Sequence, residues 1–217
     1  MLPTVVLHNS ISLDGSLTDF EVNMELHYQI AGKYNSDARL IGSNTIKTGI
    51  ALYGESPVEN NDDFIKPKRD QNLPYWVIID TKGSLKDKLH EVRRFEFCKD
   101  VIILISEQTK DDYIEYLQKR DYDYHIIGKE KVDLRKALEF IYNNYRVKSI
   151  LTDTGRILGN LLINKRLVNE ISLLVHPVIV GKKSYGIFND IDKNINLKLV
   201  KSQEFDGGYL WLVYQFK

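Results

Sequence analysis

Six short runs rich in valine and isoleucine constrain this chain more than any other feature of it. Thr4–Ile11, Ala38–Ile41, Tyr75–Ile79, Val101–Ile105, Tyr124–Ile127 and Lys148–Leu151 are brief, apolar and nearly free of polar alternation. Strands of that kind are covered on both faces, as in a parallel sheet, whereas half-exposed strands alternate. Between them, Asp111–Lys119 and Leu134–Tyr145 carry apolar residues at helical spacing, with Leu134, Leu138 and Ile141 on one face. This β-α-β-α rhythm predicts an α/β fold, a mainly parallel sheet with helices on both sides.

The last third changes character. Glu170–Val180 reads as one long β-branched strand, and Leu197–Glu204 and Tyr209–Phe216 flank a turn at Asp206-Gly207-Gly208. Close strands around a glycine turn predict an antiparallel hairpin that finishes the sheet. Gly54–Leu73 is polar, holds Pro57 and Pro67, and reads as a long surface loop of the functional kind. Nothing marks a domain boundary, so residues 1–217 read as a single domain.

Composition narrows the function classes. Thirty basic and thirty acidic side chains cancel, which leaves no general pull toward nucleic acid or an anionic membrane. No apolar run approaches the ~20 residues of a membrane span, and the opening MLPTVVLHNSISLDG lacks the basic start of a signal peptide. Cys98 is the single cysteine, so neither an internal disulfide nor a cysteine zinc cluster is expected, and a reducing cytoplasm fits. His8, His27, His90, His125 and His176 show no metal-ligand spacing, and no metal is expected. His8 and His176 lie within apolar strand runs and read as core or edge histidines; His27, in a predicted helix over Val22–Tyr34, suits a substrate contact.

Three strands run into turns that carry glycine and hydroxyls. Ser10-Ile-Ser-Leu-Asp-Gly15 follows the first strand, with Asp14 beside the glycine; it suits either a ligand at the carboxyl edge of the sheet or a plain Asp-Gly turn. Leu40-Ile-Gly-Ser-Asn-Thr45 enters a helix-like Thr45–Thr48, where a helix start favours phosphate, while Ser43 or Asn44 also suits an N-cap. Ile150-Leu-Thr-Asp-Thr-Gly155 runs into Arg156-Ile-Leu-Gly-Asn-Leu-Leu, and there Thr154, Gly155 and the next N–H groups suit a diphosphate. Asp153, just before that turn, suits a substrate-facing carboxylate or an N-cap. Neither the usual dinucleotide fingerprint nor a P-loop occurs. Together the three turns point to a phosphate-containing cofactor.

These motifs, in this order, resemble the reductase domain of riboflavin biosynthesis, a family with a dihydrofolate-reductase-like, three-layer α/β fold. Ser10–Gly15 is similar to its SLDG entry segment, Asp37–Thr45 to its strand-to-helix segment, and Val77-Ile-Ile-Asp-Thr81 to its third strand. Leu151–Leu162 resembles its glycine turn and helix, Leu167-Val-Asn-Glu170 its LVDE, and His176-Pro-Val-Ile-Val-Gly181 the segment beyond. The resemblance implies a homodimer that uses NADPH to reduce a small molecule, a ribosylaminopyrimidine 5′-phosphate, from ribose to ribityl. By position it implies Ser10 and Ile11 near the nicotinamide, and Thr45, Thr81 and Lys82 on the cofactor. It places Gly155–Leu161, with Arg156, Ile157 and Leu158 among them, around the diphosphate beside Thr154, and Asp153 facing substrate, with Lys33 where a substrate-side arginine stands. His27 and Asp14 are further candidates for the substrate side from their own places in the sequence. No deaminase zinc signature accompanies it.

The chain departs from the family pattern at Gly49, where an acid is usual, at Asp153-Thr154-Gly155 in place of Glu-Gly-Gly, and at Lys33 in place of arginine. Lysine lacks the fork with which arginine grips a phosphate. Two alternatives follow: a dihydrofolate-reductase-like NADPH oxidoreductase of another heterocyclic or carbonyl compound, and a non-catalytic nucleotide-binding protein.

Overall fold

Val-Ile-Ile-Leu-Ile at positions 101–105 forms a strand none of whose side chains reaches solvent, and a strand so apolar needs cover on both faces. The computed structural model supplies that cover; it describes residues 1–53 and 58–217, apart from the side chain of Tyr53. In chain order the elements are β1 (Thr4–Ser12), α1 (Met24–Gly32), β2 (Ala38–Gly42), α2 (Ser43–Tyr53), β3 (Tyr75–Ile79) and α3 (Leu89–Arg94). Then come β4 (Val101–Ile105), α4 (Asp111–Lys119), β5 (Asp123–Ile126), α5 (Leu134–Tyr145), β6 (Ser149–Thr152) and α6 (Arg156–Asn164). The chain closes with β7 (Glu170–His176), β8 (Leu197–Phe205) and β9 (Tyr209–Phe216).

The chain divides into two compact units, one of residues 1–3 and 37–148, the other of residues 4–36 and 149–217. In the first, β2, β3, β4 and β5 pair in that order, all parallel. Its core gathers Ile78, Ile103, Ile105, Leu85, Leu89 and Leu117. Helix ends follow ordinary electrostatics: α4 opens on Asp111 and Asp112, and the Asp133 carboxylate caps α5 by accepting from Arg135 and Lys136 N–H. In the second unit β1 lies between β6 and β7, parallel to both, and β7 continues through antiparallel β9 to β8. Leu26 and Ile30 of α1 pack there on Leu174, Trp211 and Val213. The fold is thus mixed α/β, mainly parallel, flanked by helices and finished by an antiparallel hairpin. Among the described residues no helix is long and apolar enough to cross a membrane.

Several expectations need correction. The strand expected over Glu170–Val180 stops at His176. Pro177 has no N–H to extend the ladder, and Val178 N–H turns back to the His176 carbonyl at 2.8 Å. That strand also offers no exposed edge for a partner subunit, because β1 and β9 take both its sides. The helix expected over Val22–Tyr34 is shorter, Met24–Gly32, since Asn23 caps it by accepting from Leu26 N–H. The helical turn at Thr45–Thr48 grows into α2. Of the loop Gly54–Leu73, residues 54–57 lie outside the described residues, and Asn61–Phe64 forms a 3-10 turn closed by a capping box of Asn60 and Asp63.

Candidate active site

In the second unit, two of the three turns meet at one sheet edge. Parallel register sets Leu7 of β1 beside Thr152 of β6, so both strands deliver their following residues to the same carboxyl edge. There β1 ends in Ser10, Ile11 and Ser12, and β6 passes through Asp153 and Thr154 into α6. Open α/β sheets take ligands at that edge.

The start of α6 is the most informative point. Its N-cap is Gly155, with φ −66° and ψ 178°, a residue with no side chain of its own to cap the helix. Asp153 is therefore not the N-cap. The backbone angles suit any residue, and a Cβ built on Gly155 would meet nothing within 4 Å. Among the described residues, neither conformation nor packing calls for a glycine here. What glycine preserves is open space in front of the first N–H groups of a helix, where the dipole favours an anion. Gly159, one turn on, would place a Cβ in ordinary contact with Leu7 of β1, 3.6 Å away.

Arg156 follows the cap. Its guanidinium lies 3.9 Å from the centre of the Tyr185 ring, and Nε is 2.9 Å from Asp190 Oδ2, an ion pair off the hydrogen-bond direction. Ile157 is exposed and Leu158 half-buried. Asn9, which no sequence motif singles out, donates its amide to the carbonyls of Asp153 and Thr154, 3.3 Å to each. The one sequence signal for it is a carboxamide inside an apolar strand run.

Asp14 is a clamp. Its carboxylate accepts from the Ser12 hydroxyl at 2.6 Å and from the N–H groups of Gly181 and Val180 at 2.8 and 3.1 Å, tying residues 178–181 to the first turn. The Ser12 hydroxyl, then these two N–H groups, hold its pKa down at about 2. A depressed carboxylate adds stability above its unfolded pKa near 4, lost as pH falls toward 2. The stability difference between wild type and Asp14→Asn is therefore expected to be full above pH 4 and to close by about pH 2 in thermal melts. A difference that stays constant across that range would remove the clamp.

His27 on α1 is buried, with Nδ1 3.0 Å from Ser10 Oγ and its ring centre 4.5 Å from that of His8. His8 in turn meets Ser172 Oγ at 3.0 Å, and Ser172 accepts from Trp211 Nε1 at 2.8 Å. His176 is neutral by construction, with Nε2 accepting from Asn23 N–H while Nδ1 faces the carbonyls of Ile11 and Leu174. Burial pushes its pKa down. Lys33, just past α1, sets its ammonium 5.0 Å from the centre of the Trp211 ring and 5.8 Å from that of Phe205.

The other predicted residues stand in the first unit. Thr45 is half-buried in the first turn of α2, directly after β2. Thr81 and exposed Lys82 follow β3, in a turn capped by the Asp80 carboxylate, which accepts from Ser84 N–H, the Ser84 hydroxyl and Leu85 N–H at 2.9–3.0 Å. Here glycine is required by the chain itself, as Gly83 has φ +63° and its Cβ would stand 2.7 Å from the Tyr113 ring.

A family model described as the RibD C-terminal domain matches residues 3–211. The chain belongs to that family. Among its relatives, the 2,5-diamino-6-ribosylamino-4(3H)-pyrimidinone 5′-phosphate reductase of Aquifex aeolicus is 25% identical over 197 residues, 82% of this chain and 79% of that protein. The riboflavin biosynthesis protein RibD of Chlamydia pneumoniae is 20% identical over 98% of this chain, which spans only 57% of that protein. A pyrimidine reductase-like protein from Corynebacterium diphtheriae superposes with a TM-score of 0.74 at 16% identity, covering 99% of this chain and 92% of that one. At that identity the superposition speaks for the fold, which is that of the RibD-type, dihydrofolate-reductase-like proteins.

Proposed function

We propose that this chain is a riboflavin-pathway reductase that uses NADPH to convert the ribose of a ribosylaminopyrimidine 5′-phosphate to ribityl. The observation that carries the reading is Gly155, the N-cap of α6, where an added Cβ would meet nothing within 4 Å among the described residues. A diphosphate fits that space, since helix-start N–H groups donate to its oxygens. NADPH, when bound, supplies the hydride; the protein's task is placement. In this reading Thr154 through Leu158 hold the diphosphate and Ser10 and Ile11 bound the nicotinamide. Asp153 accepts hydrogen bonds from substrate amino or hydroxyl groups, His27 and Lys33 serve the substrate side, and Asp14 acts through the loop it ties down. In the first unit Thr45 offers a hydroxyl, and Thr81 with Lys82 offers the hydroxyl and cation that a 2′-phosphate takes, so NADPH is preferred to NADH.

A second reading, reduction of a different heterocyclic or carbonyl compound, is favoured by Lys33, whose ammonium rests on aromatic rings. Absorbance at the nicotinamide band, with NADPH or NADH and a panel of acceptors, separates the two. Turnover of the pyrimidine phosphate upholds the first reading, and turnover of another acceptor alone upholds the second. A chain that binds NADPH without oxidising it with any acceptor is the non-catalytic protein, and equal dissociation constants for NADPH and NADH would remove Thr81 and Lys82 from the assignment.

Asp153→Asn keeps the shape of the side chain and removes its charge. We expect kcat/KM to fall roughly tenfold or more, the scale of one charge-assisted hydrogen bond, with NADPH affinity and Tm unchanged. Full activity in this variant would take Asp153 off the site.

A further inference from the structure

Asn9 sits on the face of β1 that α6 covers, and is 5% exposed. Because its amide is flanked by two carbonyls, of Asp153 and Thr154, the network decides its orientation: nitrogen must face them and oxygen must face away. That oxygen, Oδ1, is buried and has no hydrogen-bond partner among the described residues. A buried acceptor left unpaired costs stability on the order of 1–3 kcal/mol, and such atoms call for an explanation in a ligand or an ordered water. A leucine in the same shape would avoid the cost. The orphan oxygen belongs to a side chain whose other end grips the two residues that lead into the Gly155 cap, beside the start of α6.

We propose that Asn9 is a cofactor-positioning residue of the 153–155 turn. Its amide nitrogen holds the Asp153 and Thr154 carbonyls inward, which leaves the following N–H groups aimed at the diphosphate. Its Oδ1 accepts a hydrogen bond from the bound nucleotide, whose O–H and N–H donors are its ribose hydroxyls and carboxamide. The assignment rests on the reading of this turn as the NADPH site.

The test is the dissociation constant of NADPH, measured by quenching of protein fluorescence, together with Tm, on wild type, Asn9→Leu and Asn9→Ala. Leu removes both polar groups at nearly constant shape; Ala removes them without added apolar bulk and serves if the Leu variant does not fold. The expected result is a Kd raised roughly tenfold or more, as for a lost hydrogen bond and a loosened turn, with Tm of the Leu variant equal to or above wild type. A purely structural asparagine gives the opposite pattern, a lower Tm with Kd within twofold of wild type, and overturns the assignment. If wild type binds and both folded variants bind equally well, Asn9 alone is wrong. If wild type fails to bind NADPH, the reading of the turn falls and the assignment falls with it.

Discussion

Gly155→Val is expected to abolish measurable NADPH binding while the protein stays folded. The backbone at 155 is extended and open to any residue, and among the described residues no atom lies within 4 Å of an added Cβ, so valine meets no clash with them. What it loses locally is a tolerated N-cap, about 1 kcal/mol of helix stability. What it fills is the space before the first N–H groups of α6. Two charge-assisted hydrogen bonds blocked there, at about 1.5 kcal/mol each or more, amount to roughly a hundredfold in affinity. Fluorescence titration and a melting curve on one sample decide the matter. Wild-type affinity in a folded variant would put the diphosphate elsewhere, and a collapsed melting transition would mean that the turn itself needs glycine.

The largest loss of stability is expected from Arg93→Met in the first unit. Arg93 is 3% exposed, yet its guanidinium is fully employed. Nε donates to Asp100 Oδ1 at 3.0 Å, the terminal nitrogens donate to the carbonyls of Asp63, Arg120 and Asp121, and the Tyr122 ring lies 3.7 Å from Cζ. Asp100 shows how costly the setting is: burial raises its pKa even though Arg93 and the Val101 N–H both pull it down. Methionine would leave that carboxylate and three carbonyls without their donor, a loss of about 3–5 kcal/mol. The sign of the pH effect follows. A carboxyl whose folded pKa exceeds its unfolded value favours folding below the unfolded pKa, and this gain disappears as pH rises through the folded one. The defect, read from urea unfolding, should therefore be milder at pH 5 than at pH 8. Adding Asp100→Leu to Arg93→Met should recover much of the loss; a single variant as stable as wild type would show that Arg93 contributes nothing.

Much of the fold was legible because β1, β4, β6 and β7 are buried on both faces, while other elements show their amphipathic spacing. Tyr75–Ile79, Val101–Ile105, Asp111–Lys119, Leu134–Tyr145 and Tyr209–Phe216 run in the structure as the pattern implies. Ends were less legible where one residue decides them, as Pro177 does for β7 and Asn23 for α1. Helix α3 escaped notice because only six residues form it and its burial depends on neighbours far along the chain, among them the groups around Arg93. At the site, glycine and hydroxyl turns after strands were visible as a class, but their separate reasons were not. Gly83 is demanded by φ and by Tyr113, Gly159 would place a Cβ in ordinary contact with Leu7, and Gly155 shows neither constraint among the described residues. Asp14 reads as a group for substrate, and its contacts with the Ser12 hydroxyl and two distant N–H groups were not legible. Asn9 gave only the faint signal of a carboxamide in an apolar strand, because its contacts are two carbonyls that stand about 145 positions away.

That long separation has a consequence for biosynthesis. β1 leaves the ribosome well before both strands that pair with it, since β6 and β7 begin at Ser149 and Glu170. At ~5–20 residues per second the nascent chain waits on the order of ten seconds for its first partner strand. The whole unit of residues 37–148 emerges in that interval, with all four of its strands paired among themselves. Val5, Val6 and Leu7, all buried in the finished protein, stay exposed meanwhile, an apolar strand with both edges open. Such a segment is prone to aggregate until its partner strands emerge, the hazard that chaperones guard against.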